Sequence, residues 1–151
     1  MSTTSASALV AELAGRVFGS VLGPHQEGYD AARAVHNGLV DGRPAVIVRC
    51  RTTNDVVAAP TFARGALLEV SIRGGGHNVA GRAVTDGGVM IDLAAMKGIA
   101  IDPHRATATV EGDVVWAELN DAAAEHGLAV TGGVVSTTGI AGYTLGAASA
   151  G

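Results

Sequence analysis

Val70-Ser71-Ile72-Arg73-Gly74-Gly75-Gly76-His77-Asn78 is the stretch on which the fold turns. The run Leu67 to Ile72 alternates enough to read as a strand, and it empties directly into three glycines and a histidine. Glycines in series reach backbone conformations closed to other residues, so successive N–H groups can converge on an anion such as a pyrophosphate, with Arg73 adding charge. A tight loop with a solvated arginine and histidine uses the same residues, and the run alone leaves both readings open. Two familiar phosphate-loop spacings fail. A G-x-G-x-x-G fingerprint opening at Gly74 needs glycine at 79, where Val79 stands. The P-loop spacing from Gly76 to Gly81 is followed by Arg82-Ala83, which supplies neither the phosphate lysine nor the magnesium hydroxyl.

Working outward, the pattern is one of alternating short elements. Leu9, Leu13 and Val17 lie at helical spacing behind a Ser/Thr-rich start, and Tyr29 to Leu39 reads as a short helix or turn. Pro44 to Val48 is a branched, apolar strand; Thr52 or Thr53 caps a helix over Asn54 to Arg64, which Pro60 should kink or interrupt. Val89 to Leu93 is a further strand, and Ile99 to Asp102 with Ala106 to Glu111 forms a hairpin around Pro103-His104-Arg105. From Val115 through Leu119, Ala122 and His126 the period becomes helical, stopped by Gly127, and Leu128 to Val130 makes one more short strand before a glycine-rich tail. The mixture predicts an α+β fold with a partly parallel sheet.

Composition narrows the function. Glycine accounts for 22 of 151 residues, against an average near 7%, and it clusters between apolar runs as loops would if a ligand approached the backbone. A net charge of -4 without a basic cluster excludes the electrostatic footprint of nucleic-acid binding, and no run is long enough for a membrane-spanning helix. The expected partner is a small-molecule substrate. A single cysteine and no signal-peptide pattern at the start point to a reducing cytoplasm.

Four motifs occur in order: Ile72 to Gly81; Asp86-Gly87-Gly88-Val89-Met90-Ile91-Asp92-Leu93; Thr109-Val110-Glu111-Gly112 with Trp116; and Gly132-Gly133-Val134-Val135-Ser136-Thr137-Thr138-Gly139-Ile140-Ala141-Gly142-Tyr143-Thr144-Leu145-Gly146. Together they resemble the FAD-binding PCMH-type domain of the vanillyl-alcohol oxidase and p-cresol methylhydroxylase superfamily, nearest the berberine-bridge-enzyme-like and 6-hydroxynicotine-oxidase-like flavoproteins. The resemblance runs over about residues 28 to 146, after a lead-in over 1 to 27. It implies the N-terminal part of that fold: a small sheet with flanking helices and the start of a second α+β subdomain.

The resemblance also implies chemistry. It makes FAD the cofactor, with the reaction a hydride transfer from an alcohol or amine carbon to flavin N5. His77 matches the histidine that bonds to the flavin 8α-methyl group. Arg73, Gly74, Gly75, Gly76, Asn78, Gly81 and Leu93 match the first cofactor-binding segment, and Gly132, Gly133, Ser136, Thr137, Thr138, Gly139, Gly142 and Tyr143 match the second. Relatives with two tethers carry a cysteine where Val135 stands, so a single histidyl link is implied, and Cys50 reads as buried structure. His25, His36, His104 and His126 read as ordinary surface residues, and Trp116 as core.

Departures from the family pattern lie at Pro60 and at Ala147-Ala148-Ser149, where a further glycine run is usual. The abrupt end predicts a chain truncated within its FAD domain, lacking the substrate domain and its catalytic acid or base. The competing expectation is a non-catalytic fragment that binds flavin weakly or not at all.

Overall fold

The computed structural model describes residues 5–146. Helix α1 (Ala6–Ala14) opens where the Ser5 hydroxyl accepts the Ala8 N–H, and the four-residue spacing of Leu9 and Leu13 buries both on one face. Strand β1 (Ser20–Leu22), helix α2 (Tyr29–Arg33) and strand β2 (Val46–Arg49) follow. Helix α3 (Thr53–Gly65) starts from a capping box in which Thr52 and Asp55 exchange side-chain and backbone bonds. It leads to β3 (Val70–Arg73) and β4 (Val89–Asp92).

These four strands make one sheet in the order β1-β2-β4-β3, with β1 antiparallel to β2 and the other two pairs parallel. β4 lies between two parallel neighbours and is buried along its whole length, which is why its sequence is a continuous apolar run rather than an alternating one. The strand period of two divides the β2 side chains between two cores. Val46 and Val48 join Leu9, Leu13, Phe62 and Ala63 beneath α1 and α3, whereas Ile47 joins Met90 and Tyr29 on the α2 side.

Beyond β4 the chain builds a second unit. The antiparallel hairpin β5 (Ile99–Asp102) and β6 (Thr107–Val110) packs with α4 (Trp116–Ala124) and α5 (Ile140–Gly146) around Val114, Trp116, Leu119 and Ile140.

Several expectations need correction. Pro60 does not interrupt α3. It removes one N–H from the ladder, but Ala59, Phe62 and Ala63 stay buried against the sheet, and that packing holds the helix across the gap. Leu128 to Val130 is not a strand. The Leu128 N–H returns to the Ala123 carbonyl (3.0 Å) and the Gly127 N–H to Ala124 (3.0 Å), with Gly127 at φ 68°, so Leu128 closes α4. β1 was not anticipated from the sequence, and α5 falls in the segment read as a glycine-rich tail. β3 begins at Val70, because Leu67 takes a left-handed conformation at the exit of α3. The departure at Ala147-Ala148-Ser149 lies outside the described residues.

Candidate functional site

The site forms where β3 and β4 end side by side, with Arg73 and Asp92 as register partners. Asp92 is fully buried and accepts from Arg73 Nη1 (3.0 Å), Arg49 Nε (3.2 Å) and the Ala94 N–H (3.1 Å). Arg73 Nε also donates to the Ala34 carbonyl (3.2 Å). It shares the Asp92 carboxylate with Arg49 and acts as a strut under the glycine loop rather than as part of the cavity wall.

The segment after α2 grips that loop on both sides of His77. The His36 N–H donates to the Gly76 carbonyl (3.0 Å), and Asn37 Nδ2 donates to the Val79 carbonyl (2.9 Å). The second glycine segment meets the first backbone to backbone. A Cβ on Gly75 would lie 2.6 Å from the Gly139 nitrogen, and one on Gly139 would lie 2.7 Å from the Gly75 nitrogen. Trp116 N–H donates to the Thr138 carbonyl (3.2 Å) and Ala117 N–H to that of Ser136 (2.9 Å), pinning the segment to the start of α4.

Between the two segments lies a cavity of about 300 Å³. Gly74, Gly75, Gly76, His77 and Asn78 line one side, and Thr138, Gly139, Gly142 and Tyr143 the other. Ile72, Arg82, Ala83 and Gly146 complete the lining and were not anticipated from sequence. Thr137 stands behind this wall with its hydroxyl 3.3 Å from His77 Nε2. The remaining expected residues lie elsewhere. Gly81 packs on Val40, and Leu93 is buried beneath Gly112. Gly132 and Gly133 press on the Trp116 indole, and Ser136 is exposed on the rim.

His77 is the imidazole that lines the cavity. Burial and the neighbouring His36 lower its pKa below the usual imidazole value, with a hydrogen bond to the Thr137 backbone offsetting part of this. The ring is therefore neutral at pH 7, with Thr137 engaging Nε2. Among the described residues no hydrogen bond engages Nδ1. His36 is exposed, as the sequence suggests, but it is more than an isolated surface residue: its imidazole stacks on that of His77, with centroids 4.2 Å apart and planes inclined by 16°. No periodicity in the sequence joins positions so far apart; only the seating of residues 34–37, after α2, against the glycine loop brings them together.

Trp116 is core, 4% exposed and edge-on to Tyr143. Cys50 is buried at the end of β2, and burial, with Asp55 and Asp92 nearby, pushes its thiol up to about 12. Val135 is solvent-exposed. Among the described residues there is no group of three or more His, Cys, Asp or Glu able to hold a metal, and no helix long and apolar enough to cross a membrane.

FAD fits this architecture. Glycines leave backbone rather than side chains along much of the cavity wall, where a flat ring and a diphosphate could approach N–H groups, while one His77 ring nitrogen faces no hydrogen-bond partner among the described residues. The cavity volume is at the small end for ligand sites, as suits a wall that holds part of a large cofactor.

The profile of the FAD binding domain family matches residues 44–151. (R)-6-hydroxynicotine oxidase of Paenarthrobacter nicotinovorans is 37% identical over 127 residues, covering 84% of this chain and 28% of that protein. The crystal structure of 6-hydroxy-D-nicotine oxidase from Arthrobacter nicotinovorans superposes with a TM-score of 0.79 at 36% identity, over 82% of this chain and 27% of that one. Glucooligosaccharide oxidase from Acremonium strictum, described with a 6-S-cysteinyl, 8α-N1-histidyl FAD, gives a TM-score of 0.77 at 28% identity, over 95% of this chain and 30% of that one. The chain thus spans between a quarter and a third of the length of these relatives.

Proposed function

The chain belongs to the FAD binding domain family of the FAD-linked oxidoreductases, with the α+β fold of the PCMH type and FAD as cofactor, and from that premise we propose that it holds flavin through one covalent bond to His77. The observation that carries the reading is the His77 imidazole on the cavity wall, with Nε2 engaged by Thr137 and Nδ1 open, and with burial lowering its pKa. In attachment, a His77 ring nitrogen forms a bond to the 8α carbon. One C–H and one N–H bond break, and the two protons and two electrons pass to dioxygen. The glycine segments bring backbone N–H groups to the cofactor, and Tyr143 and Ile72 offer flat and apolar contact. Bound FAD supplies the hydride acceptor for an alcohol or amine carbon of a small-molecule substrate. That substrate class is supported by the kind of relative, 6-hydroxynicotine oxidase among them. A reducing cytoplasm is the compartment that suits the buried free thiol of Cys50.

The test is acid denaturation of the whole protein loaded with FAD. Wild-type protein is expected to keep yellow, fluorescent flavin in the pellet and to yield one flavin-bearing peptide, containing His77, by mass spectrometry. His77→Ala is expected to release it. Covalent flavin retained by that variant overturns the assignment.

A further inference from the structure

The His36 ring stacks on His77, and nothing in the fold of the sheet requires a ring there. The segment 34–37 is anchored independently, by Arg73 to the Ala34 carbonyl, by the His36 N–H to Gly76 and by Asn37 to Val79. All three anchors survive removal of the His36 imidazole, because none of them uses it. The ring is exposed, so its contact with His77 is what its sequence identity adds.

We propose that His36 is a positioning residue for flavin attachment: its imidazole, stacked on one face of the His77 ring, holds the orientation in which Thr137 takes Nε2 and Nδ1 is left for the bond to flavin. The inference rests on the tether proposed for His77. Its physical basis is the softness of the second side-chain torsion of histidine, which is broad and roughly two-fold. A half-turn about that torsion exchanges each nitrogen with a carbon, so an unconstrained ring presents the reacting nitrogen only part of the time. Two contacts remove this freedom. The stack at 4.2 Å and 16° sets the plane of the ring, and the Thr137 hydroxyl at 3.3 Å selects which edge faces it.

The same geometry excludes a proton relay between the rings. Imidazole N–H bonds lie in the ring plane, and in a stacked pair they point past the neighbour instead of at it. His36 therefore acts through its face, and a ring with no titratable nitrogen should replace it.

The experiment prepares the whole protein free of flavin, adds FAD and follows covalent fluorescence on denaturing gels with time. His36→Ala is expected to slow attachment about ten- to a hundred-fold, the scale of a misplaced reacting group, while His36→Phe stays within about two-fold of wild type. His36→Leu, which keeps bulk without a flat face, serves as the second slow variant should His36→Ala fail to fold. A merely structural role would not move the second readout. In flavin-free protein the carbon-bound ring protons of His77 should carry a ring-current shift in nuclear magnetic resonance spectra, kept in His36→Phe and lost in His36→Ala and His36→Leu. Attachment as fast without the ring as with it overturns the inference, as does His36→Phe being as slow as His36→Ala. Wild-type protein that takes up no covalent flavin overturns the tether at His77 itself, and this inference with it. A tether that forms normally in every His36 variant overturns only the part assigned to His36.

Discussion

Gly75 and Gly139 face each other with no space for a methyl group on either, and the neighbouring atoms are backbone that cannot swing aside. Gly75→Ala is therefore expected to force the two loops apart and destabilise the protein by about 1–3 kcal/mol, the usual cost of overpacking, with weaker FAD binding. Gly142 stands in the helix α5 with nothing within 4 Å of an added Cβ, so Gly142→Ala should be neutral or stabilise by up to about 1 kcal/mol. Urea unfolding of the two variants checks the pair, and equal losses would refute the close approach. Cys50 makes a second residue-scale case. Buried, and with its thiol pushed up to about 12, it should resist iodoacetamide at pH 8 in the native protein and react once urea unfolds it. Rapid native alkylation, or a flavin adduct on Cys50, would contradict its inert role.

At the scale of elements, α3 carries an interior proline that the sequence reads as a kink or an interruption, and the helix is not interrupted. If sheet packing is what carries it across, Pro60→Ala should restore a donor toward the Val56 carbonyl and raise stability, by about 1–3 kcal/mol of the roughly 3 kcal/mol that an interior proline costs. A loss of stability would mean instead that α3 is shaped around the ring. The strands tell a complementary story. β4 was legible because a run of apolar residues ahead of an aspartate has few other uses, whereas β1 was not, since Ser20-Val21-Leu22 is three residues long and gains its identity from pairing antiparallel with β2. α5 was hidden by glycine content: Gly142 and Gly146 argue against a helix locally, and burial of Ile140 beside Trp116 outweighs them.

Across the whole molecule, acid response follows from groups whose folded pKa values fall below their ordinary ones, Asp55 and His77 together with Asp41 and Glu118. Burial pushes the Asp55 carboxyl up, but bonds from the Arg51, Phe18 and Thr52 N–H groups, with the Thr52 hydroxyl, outweigh it and hold Asp55 below 3.8. The unfolded chain then binds the proton more readily, so this stability is present above pH 3.8 and is lost as pH falls through the folded value. His77 in flavin-free protein acts in the same direction, with a shallower decline that begins as pH drops below 6.5. Urea midpoints from pH 8 to pH 3 should show both limbs. Asp55→Asn should flatten the lower one, and His77→Gln the upper; an unchanged acid limb in Asp55→Asn would refute the assignment. The amino-acid sequence by itself determined the α+β class, the strand that feeds the glycine loop, the FAD-binding family and the two segments that meet at the cavity. Each of these rests on local period, on turn chemistry or on motifs contiguous in the chain, which are properties of neighbours in sequence. Tertiary structure alone decided that Arg73 is a strut on Asp92, that Gly132 and Gly133 belong to the Trp116 packing, and that His36 lies on the face of His77. Those outcomes depend on which surfaces the parallel strands and the seating of residues 34–37 bring together, and contacts between residues distant in the chain leave no periodic trace in it.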